Sequence, residues 1–380
     1  MARTLDDLAA LSGVSRSTVS RVINGGPSSE RARRQVMAAL AQTGFRPNVA
    51  ARMLASGRSG VVGVVVHLSP SLLFQDPYFG RLLQGIADAL AERSLGMMLW
   101  LGNRSREENL DRILSMRLLD GIIVTANELD DPLVDGMLAS SLPTVLVGHR
   151  SDEVTASFVS IDDVAAAEHV VSHIASIGRT RIGHISGTRR TIAAEDRIQG
   201  YRQALARAGL DPRGFVVDGD FNEPSGSRAA AELLDLGVDA IFCANDATAL
   251  GALRTIHERG LRVPEDVAVA GFDDLTFAAQ TEPPLTTVRQ GIQLQGTYAA
   301  RALIDLVAHP DGGPRRIVLP TELVIRRSTL GDAWEPDAPA DRAGHPTSPT
   351  PGIPVAATGH AAHDRIPDGA RHREEEDSHR

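Results

Sequence analysis

The chain has no lysine: all 39 of its Lys and Arg positions are arginine. That absence reads as the compositional bias of a GC-rich genome rather than as a functional signal. Cysteine occurs once, as Cys243, so an internal disulfide is excluded and a reducing compartment is the natural setting. No run of 18 apolar residues exists, so no membrane span is expected. The N-terminus lacks the apolar core of a secretory signal, which points to the cytoplasm. Metal-spaced His/Cys clusters, a nucleophile elbow and a paired catalytic carboxylate constellation are also missing. The expectation is therefore a protein that is not an enzyme and carries no cofactor and no metal.

What is present begins with length. The 380 residues are 42% hydrophobic and 23% charged, enough for two or three folded units with sizeable cores. Net charge is −9 but unevenly spread. Residues 1–60 carry nine arginines against three acids, a net of +6; the other 30 arginines face 45 acids, a net of −15. A basic head on an acidic body implies that only the head meets a polyanion.

Residues 4–43 read as three short helices. Thr4 can cap the first, with Asp7 three residues on, and Ser12-Gly13 end it. Ser15 can cap a second that runs to about Asn24 before Gly25-Gly26-Pro27, and Ser28 or Ser29 a third. At about 100° per residue, Arg16, Ser17, Ser20, Arg21 and Asn24 of "GVSRSTVSRVING" fall in one arc. Val19, Val22 and Ile23 fall opposite. An ordinary bundle could present such a face. The +6 charge and the preceding "TLDDLAALSG" favour instead a helix-turn-helix whose second helix enters a DNA major groove. Arginine forks suit guanine edges, and the hydroxyls of Thr4, Ser15 and Thr18 suit bases or phosphates.

From Val61 short apolar runs alternate with helical stretches: "VVGVVVHL", "GMMLWL", "GIIVT", "PTVLVG", "SFVSI", "RIGHIS", "VDAIFCA" and "DVAVAGF". Near-continuous apolar strands fit parallel sheets covered on both faces. The alternation is too long for one sheet, so two doubly wound subdomains with a cleft between them are expected. Residues 331–380, with seven prolines, five histidines and "EEED", read as a disordered tail.

Ligands in such folds sit where strand C-terminal ends face the cleft. Phe79 in "DPYFG" could stack on a ligand ring, Arg197 could grip oxygens, and Phe221 offers a second apolar face. Asn245 and Asp246 follow "AIFCA", and Asp273 follows "VAVAGF". Asp246 reads as a support for its loop, one of Asp273 and Asp274 as a helix cap, and Asp162-Asp163 as cap and hinge. His149 reads as a lone histidine, solvated or locally satisfied, and His184 and Ser186 as structural. Carboxylate, amide and guanidinium groups flanked by aromatics suit a polyhydroxylated ligand.

The stretches "TLDDLAALSGVSRSTVSRVING", "FRPNVAARMLASGRSGVVGVVV", "RIQGY", "FCANDATALGAL", "GLRVPEDVAVAGFDD" and "PPLTTVRQ" together resemble the lactose-repressor/galactose-repressor family of bacterial transcription regulators. The likeness spans roughly residues 3–330. It implies a helix-turn-helix head over 1–46, a hinge helix and linker over 47–60, and a periplasmic-binding-protein-like α/β body over 61–330. Within the body it implies an N-subdomain of about 61–159 plus 290–318 and a C-subdomain of about 160–289 plus 319–330.

The implied function is that of a ligand-responsive regulator. It would be a repressor of a carbohydrate-utilisation operon, binding near-palindromic double-stranded operator DNA as a homodimer. The hinge, with Asn48, Ala51 and Leu54 toward DNA, is too short to be stable alone. It would order against its twin, with Leu54 wedged into the minor groove. In the family, positions matching Arg197, Phe221, Asn245 and Asp273 touch the effector. The effector could be a sugar, a nucleobase or a phosphorylated metabolite. A sugar is favoured because no glycine-rich phosphate cradle is seen. Where the family often has a carboxylate after the fourth strand, this chain has Gly148-His149. A transport receptor with the same body would need a secretory signal in place of the basic helices.

Overall fold

The computed structural model describes residues 4–23, 26–45, 58–66, 70–101, 106–116, 118–125, 128–149 and 156–333. Asn24, the hinge over 47–57 with Asn48, Ala51 and Leu54, and the tail from 334 onward lie outside the described residues.

The head is built from α1 (Leu5–Ser12), α2 (Arg16–Ile23) and α3 (Glu30–Thr43). Thr4 and Asp7 form a reciprocal capping box at α1, Oγ1 accepting from the Asp7 amide at 3.2 Å while the Thr4 amide donates to Oδ2 at 3.1 Å. Gly13, at φ 66°, closes α1 in the left-handed region that favours glycine. Ser15 Oγ accepts from the Thr18 amide at α2. Ser29, not Ser28, caps α3 through the Ala32 amide. Leu8, Val19, Val22, Val36 and Ala39 close a small core among the three helices.

The body opens with β1 (Val61–Val66), α4 (Pro70–Gln75), α5 (Pro77–Ala91), β2 (Gly96–Leu101), α6 (Arg106–Met116) and β3 (Gly121–Thr125). Then come α7 (Pro132–Ala139), β4 (Thr144–Val147), β5 (Ser157–Ile161), α8 (Asp163–Ser176), β6 (Ile182–Ile185) and α9 (Ile192–Arg207). The chain continues through β7 (Phe215–Val217), α10 (Glu223–Asp235), β8 (Ala240–Cys243), α11 (Asp246–Glu258) and β9 (Ala268–Ala270). It ends with β10 (Thr287–Arg289), α12 (Ile292–Ala308), β11 (Arg316–Leu319), β12 (Glu322–Val324) and α13 (Arg327–Leu330).

Two parallel sheets result. The first is six-stranded, in the order β11-β5-β4-β3-β1-β2; the second is four-stranded, β7-β6-β8-β9. Both are buried on two faces. The first lies between an α5/α12 core around Leu82, Ile86 and Leu303 and a second core around Ile113, Leu133 and Met137. The second lies between an α8/α9 core around Val170 and Tyr201 and an α10/α11 core around Leu233 and Ile256. That double burial is why β3, β4, β6 and β8 are wholly apolar or nearly so.

Four strands fall outside the apolar runs of the sequence: β7, β10, β11 and β12. Three of them have only three residues, and β11 alternates exposed with half-buried positions at a sheet edge. The chain passes between the lobes three times: after β5, between β10 and α12, and between β11 and β12, where β10 and β12 pair antiparallel. Among the described residues no helix is long and apolar enough to cross a membrane.

Glycine lets the helix pairs cross closely. A Cβ on Gly200 would press into the Val164 carbonyl where α9 crosses α8, and one on Gly85 into the Gln293 carbonyl where α5 crosses α12. Backbone cannot yield as a side chain can. Gly200→Ala is therefore expected to lower stability by about 1–3 kcal/mol in urea denaturation. An unchanged midpoint and slope would show that the crossing has room to spare.

Candidate functional site

Between the two lobes lies a cavity of about 930 Å³. Its wall comes from the carboxyl ends of strands in both sheets: Thr125 of β3, Val147 of β4 and Ile161 of β5 on one side, and the loops after β6, β7, β8 and β9 on the other. Phe79, Arg197, Phe221 and Asp273 all line it.

Arg197 is buried. Its Nε donates to Asp163 Oδ1 at 2.8 Å, one terminal nitrogen donates to the Ala244 carbonyl, and the guanidinium carbon lies 3.7 Å from the Phe272 ring centroid. Burial pushes the Asp163 carboxyl up, and Arg197 pulls it back. Phe221, at φ 55°, turns its ring over Gly187, where any side chain would collide with it. Phe79 is shared between roles: it lines the cavity yet packs into the α5/α12 core and meets Tyr78 edge-on at 5.0 Å.

Asp273 is held at φ 116°, a strained conformation for a residue with a Cβ. Its amide donates to the Val288 carbonyl, and Gln290 Nε2 donates to its Oδ1. Gln295 in turn donates to Gln290 Oε1 at 2.9 Å. Burial drives the Asp273 carboxyl well above the usual range, against the pull of Arg197. Neither Asp273 nor Asp274 caps a helix. The next turn, Thr276–Ala279, has no side-chain cap, and Asp274 instead pairs with Arg289 at 2.7 Å and Arg326 at 2.6 Å.

Asn245 stands apart from the other sequence-derived ligand residues, because it does not line the cavity. Both ends of its amide are engaged: Oδ1 accepts from the Thr248 amide to cap α11, and Nδ2 donates to the Phe221 carbonyl at 3.0 Å. It shapes the wall through Phe221. Asp246 supports its loop, accepting from the Leu275 amide and the Thr287 hydroxyl, and burial pushes its carboxyl up to about 7.

His149 is not solitary. Its Nε2 lies 3.4 Å from Asp196 Oδ2 on the opposite lobe, and its Nδ1 3.3 Å from Ser160 Oγ; both His149 and Asp196 line the cavity. Burial raises the Asp196 carboxyl to about 6, with His149 opposing. Asp162 caps α8 through the Ala165 amide, while its neighbour Asp163 joins the cavity wall. Asp196, Gln290 and Gln295 join the site without having been singled out from sequence. The unusual Gly148-His149 was the one sequence signal in this corner. His184, by contrast, is structural: it is stacked between Tyr201 and Phe242, donates from Nδ1 to the Phe242 carbonyl at 2.9 Å, and is held neutral by burial, which lowers its pKa to about 3.

In the head, Arg16, Ser17 and Arg21 of α2 are exposed, with Thr18 and Ser20 half-buried beside them. Thr4 and Ser15 are exposed at the starts of α1 and α2. Arg16 makes only a loose, solvent-exposed contact with Asp6 at 3.7 Å, which leaves its fork available.

Residues 4–48 match the model of the lacI family of bacterial regulatory proteins, and residues 171–329 match a periplasmic binding protein-like domain. The HTH-type transcriptional regulator CelR of Thermobifida fusca is 39% identical over 332 residues, covering 86% of this chain and 98% of that protein. The chain belongs to the LacI family. It is a DNA-binding transcriptional regulator. Among solved structures, a CelR–cellobiose complex superimposes with TM-score 0.68 at 38% identity, covering 86% of this regulator and 100% of that chain. A lac repressor dimer bound to operator and the anti-inducer ONPF gives 0.76 at 27% identity, covering 87% and 99%.

The exposed arginines of this regulator can then be sorted by what they read. Arg16→Ala is expected to relax preference at one base position per half-site, at a cost of about 1–3 kcal/mol, in binding assays across a library of operator variants. A uniform loss over all sequences would make Arg16 a phosphate contact instead.

Proposed function

We propose that this regulator is a repressor of a carbohydrate-utilisation operon. It binds near-palindromic double-stranded operator DNA as a homodimer in the cytoplasm, and a sugar held in the inter-lobe cavity changes its affinity. The observation that carries the reading is the cavity wall: aromatic faces, a guanidinium and several carboxylates converge from two lobes, in a chain that begins with a helix-turn-helix. The relatives agree in kind. One solved complex is of CelR with cellobiose, and one is of a lac repressor dimer on its operator. On this reading the cavity binds and releases its ligand unchanged, and no metal or cofactor is needed.

The working division is a head of 1–46, a hinge of 47–60, a body of 61–330 and a tail of 331–380. Thr4, Ser15, Arg16, Ser17, Thr18, Ser20, Arg21 and Asn24 serve the major groove and its phosphates. Asn48, Ala51 and Leu54 serve the minor groove. Phe79, Arg197, Phe221 and Asp273 serve the ligand directly, and Asn245 serves it through Phe221. A ligand that favours one lobe arrangement favours one spacing of the two heads, and so biases ordering of the paired hinges.

The test is fluorescence anisotropy with the DNA upstream of the regulator's own gene, with and without a panel of mono- and disaccharides. At least one sugar is expected to shift operator affinity about tenfold. Asp273→Asn should bind operator within about twofold of wild type and lose that response. Failure of every sugar to move operator affinity, or an intact response in Asp273→Asn, would overturn the assignment.

A further inference from the structure

Charge narrows the carbohydrate reading, and a statement about which sugars enter rests on that reading. A volume of about 930 Å³ is near the top of the roughly 300–1,000 Å³ typical of ligand pockets, so space alone selects little. The described wall carries seven carboxylates and a single guanidinium. That guanidinium, Arg197, is already committed to Asp163 and the Ala244 carbonyl. Glu128 and Glu223 are matched by arginines outside the wall, Arg190 at 3.0 Å and Arg254 at 2.5 Å. Four carboxyl groups remain that no described arginine pairs with, those of Asp76, Asp196, Asp220 and Asp273, of which Asp273, pushed well up by burial, weighs least in the charge.

Helix N-termini are the usual alternative for holding an anion, because their free amides and dipole favour negative charge. Five of them line this cavity, those of α5, α8, α9, α10 and α11, and α12 starts beside it between Gln290 and Gln295. α5 carries Asp76 at its N-cap, and α8 to α11 each have an acidic residue in the first turn, Asp163, Glu195, Glu223 and Asp246; α12 has none. At five of these six starts the position where a phosphate would gain most is thus taken by a protein carboxylate.

Asp196 occupies the sharpest point of this arrangement. Among the described residues its Oδ2 is buried without a hydrogen-bond partner and lies 3.4 Å from His149 Nε2, across the gap between the lobes. A ligand hydroxyl that displaces His149 can donate to that oxygen. A phosphate or carboxylate cannot, and would also compete for His149 while facing the carboxylate it uncovers.

We infer that the cavity admits uncharged sugars and rejects phosphorylated and carboxylated ones, and that Asp196 is the largest single contributor to this discrimination. The inference is read by titration calorimetry of the full-length protein at pH 7.5 with matched pairs. These are glucose with glucose 6-phosphate, glucose with glucuronate, trehalose with trehalose 6-phosphate, and cellobiose with cellobionate. In any pair where binding occurs, the neutral member should bind about tenfold or more tightly than the anion. Asp196→Asn should narrow that gap at least about threefold.

An anion that binds as tightly as its neutral parent overturns the inference. An unchanged gap in a folded Asp196→Asn protein overturns the role of Asp196. If that variant does not fold, Asp220→Asn on the exposed rim should narrow the gap in the same direction, and no change there counts against charge exclusion. Absence of binding by both members of every pair is a different result: it removes the carbohydrate reading itself, and this inference with it.

Discussion

A guanidinium and a carboxylate buried together are tolerable only when each compensates the other and the remaining polar atoms find partners. Arg197 and Asp163 meet that condition with side chains 7% and 8% exposed: one N–H goes to the carboxylate, another to the Ala244 carbonyl, and the flat face of the guanidinium lies on Phe272. The pair joins α9 to the first turn of α8, immediately after β5 carries the chain out of the first lobe. The element that floors the cavity is therefore also the element that fixes the first crossing. Ligand recognition and lobe geometry share one buried interaction.

The other crossings are built on the same plan. Asp274 sits between Arg289 of β10 and Arg326 just after β12, while its neighbour Asp273 faces the cavity from a strained backbone supported by Gln290 and Gln295. Among the described residues several polar contacts then span the cleft itself: His149 to Asp196, Glu128 to Arg190, the Leu129 amide to the Arg190 carbonyl at 2.7 Å, and Arg81 to the Asp274 carbonyl and the Thr276 hydroxyl. Each of these depends on how far the lobes have closed. On the proposed reading, a ligand that touches both walls strengthens or loosens them together, which is how a small molecule gains differential affinity for two arrangements.

Much of this was legible in the residues, and the exceptions have physical causes. The head could be read because its signals are local: the Thr4–Asp7 box, the Ser15 and Ser29 caps, and the valine stripe of α2 lie within a few residues of each other. The buried strands announced themselves as apolar runs. The short crossing strands β10 and β12 did not, because three residues carry no period. Phe221 and Asp273, chosen for their place after strands, and Arg197, chosen for its fork and the family resemblance, all reach the cavity wall. Asn245 was chosen, like Phe221 and Asp273, for its place after a strand, but both ends of its amide are used by the fold, a fact no spacing reveals. Asp196 was missed because its meaning comes from His149, 47 positions earlier and on the other lobe.

The most direct test is a double-mutant cycle on the buried pair, with urea denaturation and sugar calorimetry on the same proteins. Arg197→Met and Asp163→Ala singly should each lose about 3–5 kcal/mol of stability, since each strands a buried charge. The double variant should recover most of that loss and yet bind no sugar, because apolar packing can replace the pair in the fold but not in the cavity. Single variants as stable as the wild type, or a double variant with unchanged sugar affinity, would contradict the account.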